Sequence, residues 1–258
     1  MGVLRGKMNT GDAGGNFTAP DLEVESDAHG SQPESGWIVS EMGRDERGGE
    51  ASLGAWEPAP LSEVVALFSA STSRWWITGG HAIEIAVGRR IRDHADIDVL
   101  VLRRDQQTVQ EVLAGWQWFA ADPPGSLREW LPAEVLPDAV HDIWCRPSQH
   151  SPWRIQIMLD ESSGDEWVSR RDPRIRRTIT SLGCATDDGV PYIAPEVQLF
   201  YKANQRRLKD ELDLAAALPV LTTTQREWLD SAIRDCYSDA HPWRRHLARN
   251  SAVRPRKV

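Results

Sequence analysis

Cysteine is scarce in this chain, and the few cysteines form no pattern. There are three among 258 residues, at wide spacing: Cys145, Cys184 and Cys236. They provide neither a disulfide framework nor a zinc-binding spacing, so a reducing cytoplasm is the expected compartment. Long apolar runs are also missing, because none approaches the roughly 20 residues of a membrane helix, and we expect no signal region. The sequence therefore predicts a cytoplasmic protein without a membrane partner.

Positive charge is in short supply as well. The chain has 30 basic and 38 acidic residues, a net charge of −8. A protein that binds nucleic acid independently of sequence needs a basic surface, so we expect no nucleic-acid partner. The clearest basic cluster lies near the end of the chain, and we interpret residues 248–258 as a solvated basic tail.

Apolar periodicity is absent from residues 1–56. This segment is rich in glycine, serine and acidic residues, and it cannot bury enough surface to offset the entropy lost on ordering. We interpret it as a disordered extension. Because Met8 and Met42 are alternative start positions, the sequence does not decide whether the whole extension is translated.

The chemistry concentrates in residues 75–102, WWITGGHAIEIAVGRRIRDHADIDVLVL. This stretch predicts a strand, a glycine pair, a short helix, a basic loop and a second strand. Asp96 and Asp98 are two positions apart in a strand, so their carboxylates face the same side, while Ile97 faces the core. Paired carboxylates are ligands that Mg²⁺ prefers, together with water and substrate phosphates. We therefore predict a metal site at Asp96 and Asp98.

The glycine pair before the helix adds a second signal. Gly79 and Gly80 allow the backbone to approach a phosphate closely, and they expose N–H groups at a helix start. A metal site and a phosphate site on neighbouring loops indicate chemistry on a nucleotide.

The same stretch resembles the nucleotidyltransferase superfamily, and within it the aminoglycoside 2''-adenylyltransferases and lincosamide nucleotidyltransferases. The resemblance rests on four elements in order: Gly79-Gly80-His81-Ala82, Gly88-Arg89, Arg92-Asp93-His94 and Asp96-Ile97-Asp98. It implies an Mg²⁺-dependent enzyme that moves a nucleoside monophosphate onto a hydroxyl of a small, aminoglycoside-like molecule. ATP is the implied donor, and the metal neutralises developing charge and aligns attack on the α-phosphorus.

The third carboxylate of the superfamily is replaced in this chain. The resemblance puts its position at Gln156, and an amide is a weaker metal ligand than a carboxylate and has no useful basicity. Asp160, on the same strand face by parity, is one substitute, and Asp142 on the partner strand is another. A third alternative is an enzyme that works without a protein base, or poorly.

Further site residues are implied by the resemblance. Arg92 is expected to contact phosphate, since its guanidinium fork matches phosphate oxygens. Lys202 and Lys209, in a segment similar to the family's lysine-rich element, are expected to reach the nucleotide phosphates, and Asp213 to brace a lysine or arginine. The acceptor side is expected to include aromatic and charged residues: Trp153, Trp167, Arg170, Arg171 and Asp172.

The order of elements predicts a mixed α/β (α+β) nucleotidyltransferase fold, with a mixed sheet flanked by helices. We place the nucleotidyltransferase domain at residues 57–190 and a C-terminal helical part at 191–247. Strands are expected at 75–78, 97–102, 116–120 and 192–193, with a hairpin of 140–146 and 153–159. Helices are expected at 61–69, 82–87, 106–114 with Asp105 as N-cap, from Pro195, at 209–218, and after a capping box of Thr224 with Glu227.

Two other functions stay open at this point. One is nucleotidylation of a protein or tRNA, as antitoxin-like members of the superfamily perform. The other is a nucleotide-binding protein that has lost turnover, which the glutamine at position 156 keeps in view. The sequence does not give the acceptor, the nucleotide, the base or the oligomeric state.

Overall fold

The computed structural model describes residues 53–249. Most of the predicted extension (1–56) and of the predicted basic tail (248–258) lies outside these residues. Residues 53–56 are described, and they pack on the domain: Trp56 forms a parallel bridge with Trp153, whose indole Nε1 donates to the carbonyl of Leu53 at 2.6 Å. The predicted boundary at residue 56 therefore falls inside the folded part.

The described chain alternates helices and strands in its first half and ends in helices. The helices are α1 (Leu61–Phe68), α2 (Gly79–Val87), α3 (Gln107–Val112), α4 (Pro195–Lys202), α5 (Leu208–Ala217), α6 (Thr223–Cys236) and α7 (Trp243–Arg249). The strands are β1 (Trp75–Thr78), β2 (Asp98–Leu102), β3 (Gln117–Ala121), β4 (Leu127–Glu129), β5 (Asp142–Arg146), β6 (Ile155–Ser163), β7 (Glu166–Val168), β8 (Arg176–Thr178), β9 (Gly183–Ala185) and β10 (Pro191–Ile193).

These strands form one mixed sheet. Its main path runs β4-β3-β5-β6-β2-β1-β10-β9, while β7 and β8 extend from β6. Strand β2 lies between β1, to which it is antiparallel, and β6, to which it is parallel. Because β2 and β6 run parallel and in register, Asp98 lies directly beside Gln156.

Apolar side chains cover both faces of the sheet. On one face, α1 and α3 pack over buried residues of the central strands, such as Val99 and Ile157, both fully buried. On the other face, α2 and the C-terminal helices pack over Leu100 and Met158 in a larger cluster. Successive strand residues alternate between faces, so Asp98 and Gln156 share the face that carries the C-terminal helices.

The predicted mixed α/β fold class is confirmed. Strand β1 has the predicted bounds, and β5 pairs antiparallel with β6 as the predicted hairpin. Strand β10 pairs parallel with β1, so the sheet extends three residues into the predicted helical part. No helix within residues 53–249 is long and apolar enough to cross a bilayer.

Three local predictions are wrong. The capping box of α6 is formed by Thr222 and Gln225, whose backbone N–H groups each bond the other's side chain, at 2.9 and 3.3 Å. Asp105 lies in a 3₁₀ turn, and Gln106 precedes the first residue of α3. Strands β4, β7, β8 and β9 were missed, because each has only three residues, too short for a period-two pattern to emerge.

Candidate active site

The predicted pair of aspartates lies at the start of β2. Asp98 and Asp96 are both partly exposed, whereas Ile97 between them is fully buried on the opposite face. Loss of hydration, followed by the nearby charge of Asp96, raises the pKa of Asp98 well above its ordinary value. A carboxylate whose ionisation is unfavourable, with a second carboxylate beside it, gains stability from a divalent cation. The residues present therefore fit Mg²⁺.

The glycine pair leaves room for the carboxylate of Asp98 and for the loop that precedes β2. Gly79 has a left-handed φ of +68°, and a Cβ built on it would lie 2.0 Å from Asp98 Oδ2. A Cβ on Gly80 would lie 2.3 Å from His94 Cε1 and 2.4 Å from Arg92 Nη2. The turn from β1 into α2 thus touches both Asp98 and the basic loop because neither glycine has a side chain.

Gln198 holds this turn in place, a role that the sequence did not reveal. Its Oε1 accepts from the hydroxyl of Thr78 at 2.5 Å and from the backbone N–H of Gly79 at 2.9 Å. The N–H of Gly79, which we expected to be exposed at the helix start, therefore already has a partner. Gln198 is only 5% exposed, but neither its burial nor its contact with Gly79 can be read from the sequence.

Arg92 lies at the site and is held by α5. Its Nε and Nη2 donate to the two carboxylate oxygens of Asp213, at 3.1 and 3.0 Å. Lys202 Nζ lies 2.8 Å from Asp213 and 3.2 Å from Asp210, two carboxylates whose side chains are fully buried. The prediction that Asp213 braces a lysine or arginine is confirmed, since it braces one of each. The phosphate contact of Arg92 stays a prediction.

Both predicted phosphate-binding lysines lie near the aspartate pair. Their positive charges oppose the rise in the pKa of Asp98 that burial and Asp96 cause. Lys202 is buried and Lys209 is partly exposed. Positive charge therefore borders the carboxylates on the helical side, and contact of either lysine with a nucleotide stays a prediction.

Gln156 stands beside Asp98 where the third carboxylate was expected. Its Nε2 donates to Asp142 Oδ1 at 3.0 Å, which fixes the orientation of the amide. Its Oε1 is buried and has no hydrogen-bond partner among the described residues. Burial raises the pKa of Asp142, against the opposing charge of Arg170 and the hydrogen bond from Gln156. Of the two predicted substitutes for the missing carboxylate, Asp142 is the one that contacts this position.

Asp160 is a correction to the predicted site. It shares the face of Gln156, as parity required, but lies four residues further along β6, about 13 Å away at 3.3 Å per residue. Its fully buried carboxylate accepts from Trp167 Nε1 and from the hydroxyl of Tyr201, both at 2.7 Å. The structure therefore assigns Asp160 to the packing of α4 against the sheet and not to the aspartate pair.

An aromatic cluster borders Gln156 on the side away from the helices. Trp144 is the register partner of Gln156, and its ring packs edge-on against Trp153 and Trp56, with centroid separations of 5.6 and 5.0 Å. Trp144 is 2% exposed, and its Nε1 has no hydrogen-bond partner among the described residues. Trp167, which we had grouped with Trp153, packs elsewhere, against Asp160.

The site is therefore a polar strip between two apolar clusters on one sheet face. Leu100 and the C-terminal helices lie on one side, and Trp144 with Trp153 lies on the other. Within residues 53–249, no third histidine, cysteine, aspartate or glutamate ligand atom joins Asp96 and Asp98 in a cluster of 4.8 Å. The strip thus offers two carboxylates and an amide side by side.

Comparisons with known proteins agree with the motifs. Residues 60–121 match the family described as aminoglycoside-2''-adenylyltransferase, so the resemblance is confirmed over a segment that includes both glycines and both aspartates. No curated protein matches the chain.

Solved structures of nucleotidyltransferases are also similar. One is a crystal structure of ANT(2'')-Ia in complex with adenylyl-2''-tobramycin, at 16% identity over 69% of this chain and 97% of that chain, TM-score 0.47. A solution structure of the antibiotic-resistance factor ANT(2'')-Ia has 17% identity over 69% and 90% of the two chains, TM-score 0.46. A crystal structure of the lincosamide antibiotic adenylyltransferase LnuA with lincomycin bound has 16% identity over 64% and 100%, TM-score 0.45.

Proposed function

We propose that this protein is an Mg²⁺-dependent nucleotidyltransferase that moves AMP from ATP onto a hydroxyl of a small molecule. The acceptor oxygen forms a bond to the α-phosphorus while the bond to the bridging oxygen of pyrophosphate breaks. The hydroxyl proton passes to a base, and pyrophosphate leaves. An aminoglycoside-like molecule is the acceptor class that the family match favours.

The observation that carries this proposal is the aspartate pair in its surroundings. Asp96 and Asp98 lie close together at the start of the buried strand β2, and Gly79 contacts Asp98. The positive charges of Lys202 and Lys209 act on the same Asp98 carboxylate. When bound there, Mg²⁺ supplies charge neutralisation at the phosphates. Positive side chains beside the pair add to that neutralisation and orient the triphosphate.

The remaining residues of the strip suit an uncharged acceptor group. A hydroxyl at this point is expected to donate its only proton to Asp142, whose Oδ1 already accepts from Gln156 Nε2 at 3.0 Å. We assign Asp142 as the proton acceptor, because it contacts Gln156 and because burial raises the pKa of its carboxyl, which favours protonation. Gln156 holds the Asp142 carboxylate in place and takes no proton.

The first test is calorimetry of ATP binding with Mg²⁺. The double variant Asp96→Asn/Asp98→Asn is expected to lose Mg²⁺-dependent binding, and transfer is expected to fall about 10²- to 10⁴-fold, since metal-assisted charge stabilisation is worth several kcal/mol. Asp142→Asn is the matched control, because it keeps both metal ligands and is expected to bind MgATP normally while losing transfer. Unchanged Mg²⁺-dependent binding in the double variant contradicts the proposed site.

A second candidate function rests on Gln156. If the amide replaces a required base, the protein binds a nucleotide and does not transfer it. Both candidates predict Mg²⁺-dependent ATP binding in the wild type, so a pyrophosphate-release assay separates them. The second candidate predicts no pyrophosphate release for any acceptor hydroxyl offered. A wild type that binds no nucleoside triphosphate contradicts both candidates.

A further inference from the structure

Three potential metal ligands converge next to the aspartate pair. His81 and Glu84 are three residues apart in α2, so they lie on the same side of the helix one turn apart. His94 comes from the loop before β2, and its Nε2 lies 2.9 Å from Glu84 Oε1. One ligand atom from each residue lies within 4.8 Å of the other two. The side chains of His94 and Glu84 are 7% and 14% exposed, so the group lies just below the surface.

The carboxylate of this group is fixed by the backbone. Glu84 Oε1 accepts from the N–H groups of Ile91 and Arg92, at 2.7 and 3.1 Å. Burial acts to raise the pKa of Glu84, but these two hydrogen bonds and the contact with His94 outweigh it, so the pKa lies below its ordinary value. The carboxylate is therefore ionised and already held against the loop.

The imidazole of His81 is neutral near pH 7. Burial, followed by the neighbouring charge of His94, lowers the pKa of His81 to about 4. The two imidazole rings lie against each other, with centroids 4.2 Å apart. Because a histidine binds metal only in its neutral form, the first ligand needs no deprotonation at physiological pH.

We propose that His81, Glu84 and His94 form a second metal site, which takes a zinc-type transition-metal ion and not Mg²⁺. Two imidazole nitrogens and one carboxylate oxygen are a donor set for Zn²⁺, Co²⁺ or Ni²⁺, whereas Mg²⁺ prefers the oxygens of Asp96 and Asp98. Three protein ligands leave a fourth coordination place for water or another donor.

Capture of an ion at Nε2 requires one proton to move on His94. In the present arrangement Arg92 Nη1 lies 3.2 Å from His94 Nδ1 and donates to it, while Nε2 faces Glu84. When Nε2 becomes the ligand, the ring proton moves to Nδ1. Arg92 Nη1 then keeps its other acceptor, the carbonyl of Asp93 at 3.2 Å.

The ion would link the first turns of α2 to the loop that leads into Asp96. Gly80 of the glycine turn borders this site, since a Cβ there would lie 2.6 Å from His94 Nδ1. The two proposed metal sites are therefore adjacent but have no ligand in common. A bound ion is expected to stabilise the loop whether or not a nucleotide is present.

Cobalt gives a direct test, because it reports its own coordination by visible absorption. The metal-free full chain, without an affinity tag, is titrated with Co²⁺ and, in a parallel calorimetric run, with Zn²⁺. The wild type is expected to bind one equivalent with ligand-field absorption. His81→Gln is expected to weaken binding at least about 100-fold, more than the loss of a residue that only supports a ligand.

Two matched variants make the result decisive. His150→Gln removes an exposed histidine outside the group and is expected to leave the titration unchanged. Asp96→Asn/Asp98→Asn removes the proposed Mg²⁺ ligands and is expected to retain Co²⁺ absorption, which separates this proposal from the catalytic one. Because His94 and Glu84 also hold the loop, His81→Gln is the primary variant, and its circular dichroism must match the wild type. Equal Co²⁺ binding by His81→Gln and the wild type overturns the proposal, as does loss of the absorption in the aspartate variant.

Discussion

The two halves of the candidate site are built in different ways. The half around Gly79 and Asp98 comes from one contiguous stretch of 28 residues, β1-α2-β2, and its parts touch because the chain turns back on itself. The half around Gln156 is assembled by sheet pairing among β5, β6 and β2, from residues up to 58 positions apart, as for Asp98 and Gln156. The first half lies within residues 60–121, the segment that matches the family model, whereas Asp142, Trp144 and Gln156 of the second half lie outside it.

The largest effect is expected from adding one methyl group to the contiguous half. Gly79→Ala places a methyl group 2.0 Å from Asp98 Oδ2 and is expected to displace that carboxylate and abolish Mg²⁺-dependent ATP binding. The matched control is Gly88→Ala, which also has a left-handed φ, +74°, but no atom within 4 Å. Both variants are expected to lose about 1–3 kcal/mol of unfolding free energy through backbone strain. Only Gly79→Ala should lose ATP binding by calorimetry, and equal binding by the two variants would show that the close contact is unimportant.

A second experiment measures how much the buried ion cluster of α4 and α5 stabilises the side of the site next to the contiguous half. Lys202→Met leaves Asp210 and Asp213 buried with fewer positive partners, and the free energy of unfolding is expected to fall by about 3 kcal/mol. Urea denaturation measures it. Lys209→Met is the comparison variant, since Lys209 is partly exposed and its loss should cost less than about 1 kcal/mol. Equal losses of stability would show that the buried ion cluster is not what stabilises this side of the site.

The contiguous half could be predicted from the sequence, whereas the contacts of the assembled half could not. The strand, turn, helix and strand of residues 75–102 were predictable because their periodicity and glycine signals are local. Parity correctly put Asp160 and Gln156 on one face, but parity gives no depth, so it did not show that Trp167 and Tyr201 surround Asp160. The contact of Gln156 with Asp142 depends on strand pairing and was left as one of three alternatives.

Some contributors to the site gave no readable signal. Gln198 lies 119 positions from Gly79, and nothing in its own segment indicates that it caps the glycine turn. The metal-ligand group of α2 was missed for another reason. His81 and Glu84 have ligand spacing on a helix, but the third member, His94, was interpreted only as part of the loop.

A third experiment introduces a carboxylate into the assembled half, at position 156. Gln156→Glu places a third negative charge beside Asp98 and removes the hydrogen bond that Gln156 gives Asp142. Without metal, thermal stability is expected to fall, because like charges are confined in a buried strip. Mg²⁺ affinity is expected to rise about tenfold, since ligand charge sets the affinity of oxygen sites.

Calorimetric titration of Mg²⁺ checks the affinity, and melting curves with and without the ion check the stability. The control is Gln156→Met, which removes the same hydrogen bond without adding charge. If the methionine variant gains Mg²⁺ affinity as the glutamate variant does, the gain comes from loss of the hydrogen bond to Asp142 and not from the added charge. If neither variant gains, then Gln156 does not border the metal ligands, and the two halves do not form one site.

The smallest effect expected is a pH dependence confined to the assembled half. Burial, followed by the charges of Arg170 and Arg103, lowers the pKa of His141 to about 3. Its folded-state pKa therefore lies below the unfolded value near 6.5, and the folded protein disfavours the charged ring. Stability that is present above pH 6.5 is lost progressively as the pH falls toward 3. His141→Gln removes this loss, and the difference between its urea midpoint and that of the wild type should narrow or reverse from pH 7 to pH 5. His150 is exposed and lies outside this cluster, so His150→Gln is the control and should track the wild type at both pH values. A His141→Gln variant that also tracks the wild type would show that His141 does not share a desolvated cluster with Arg170 and Arg103.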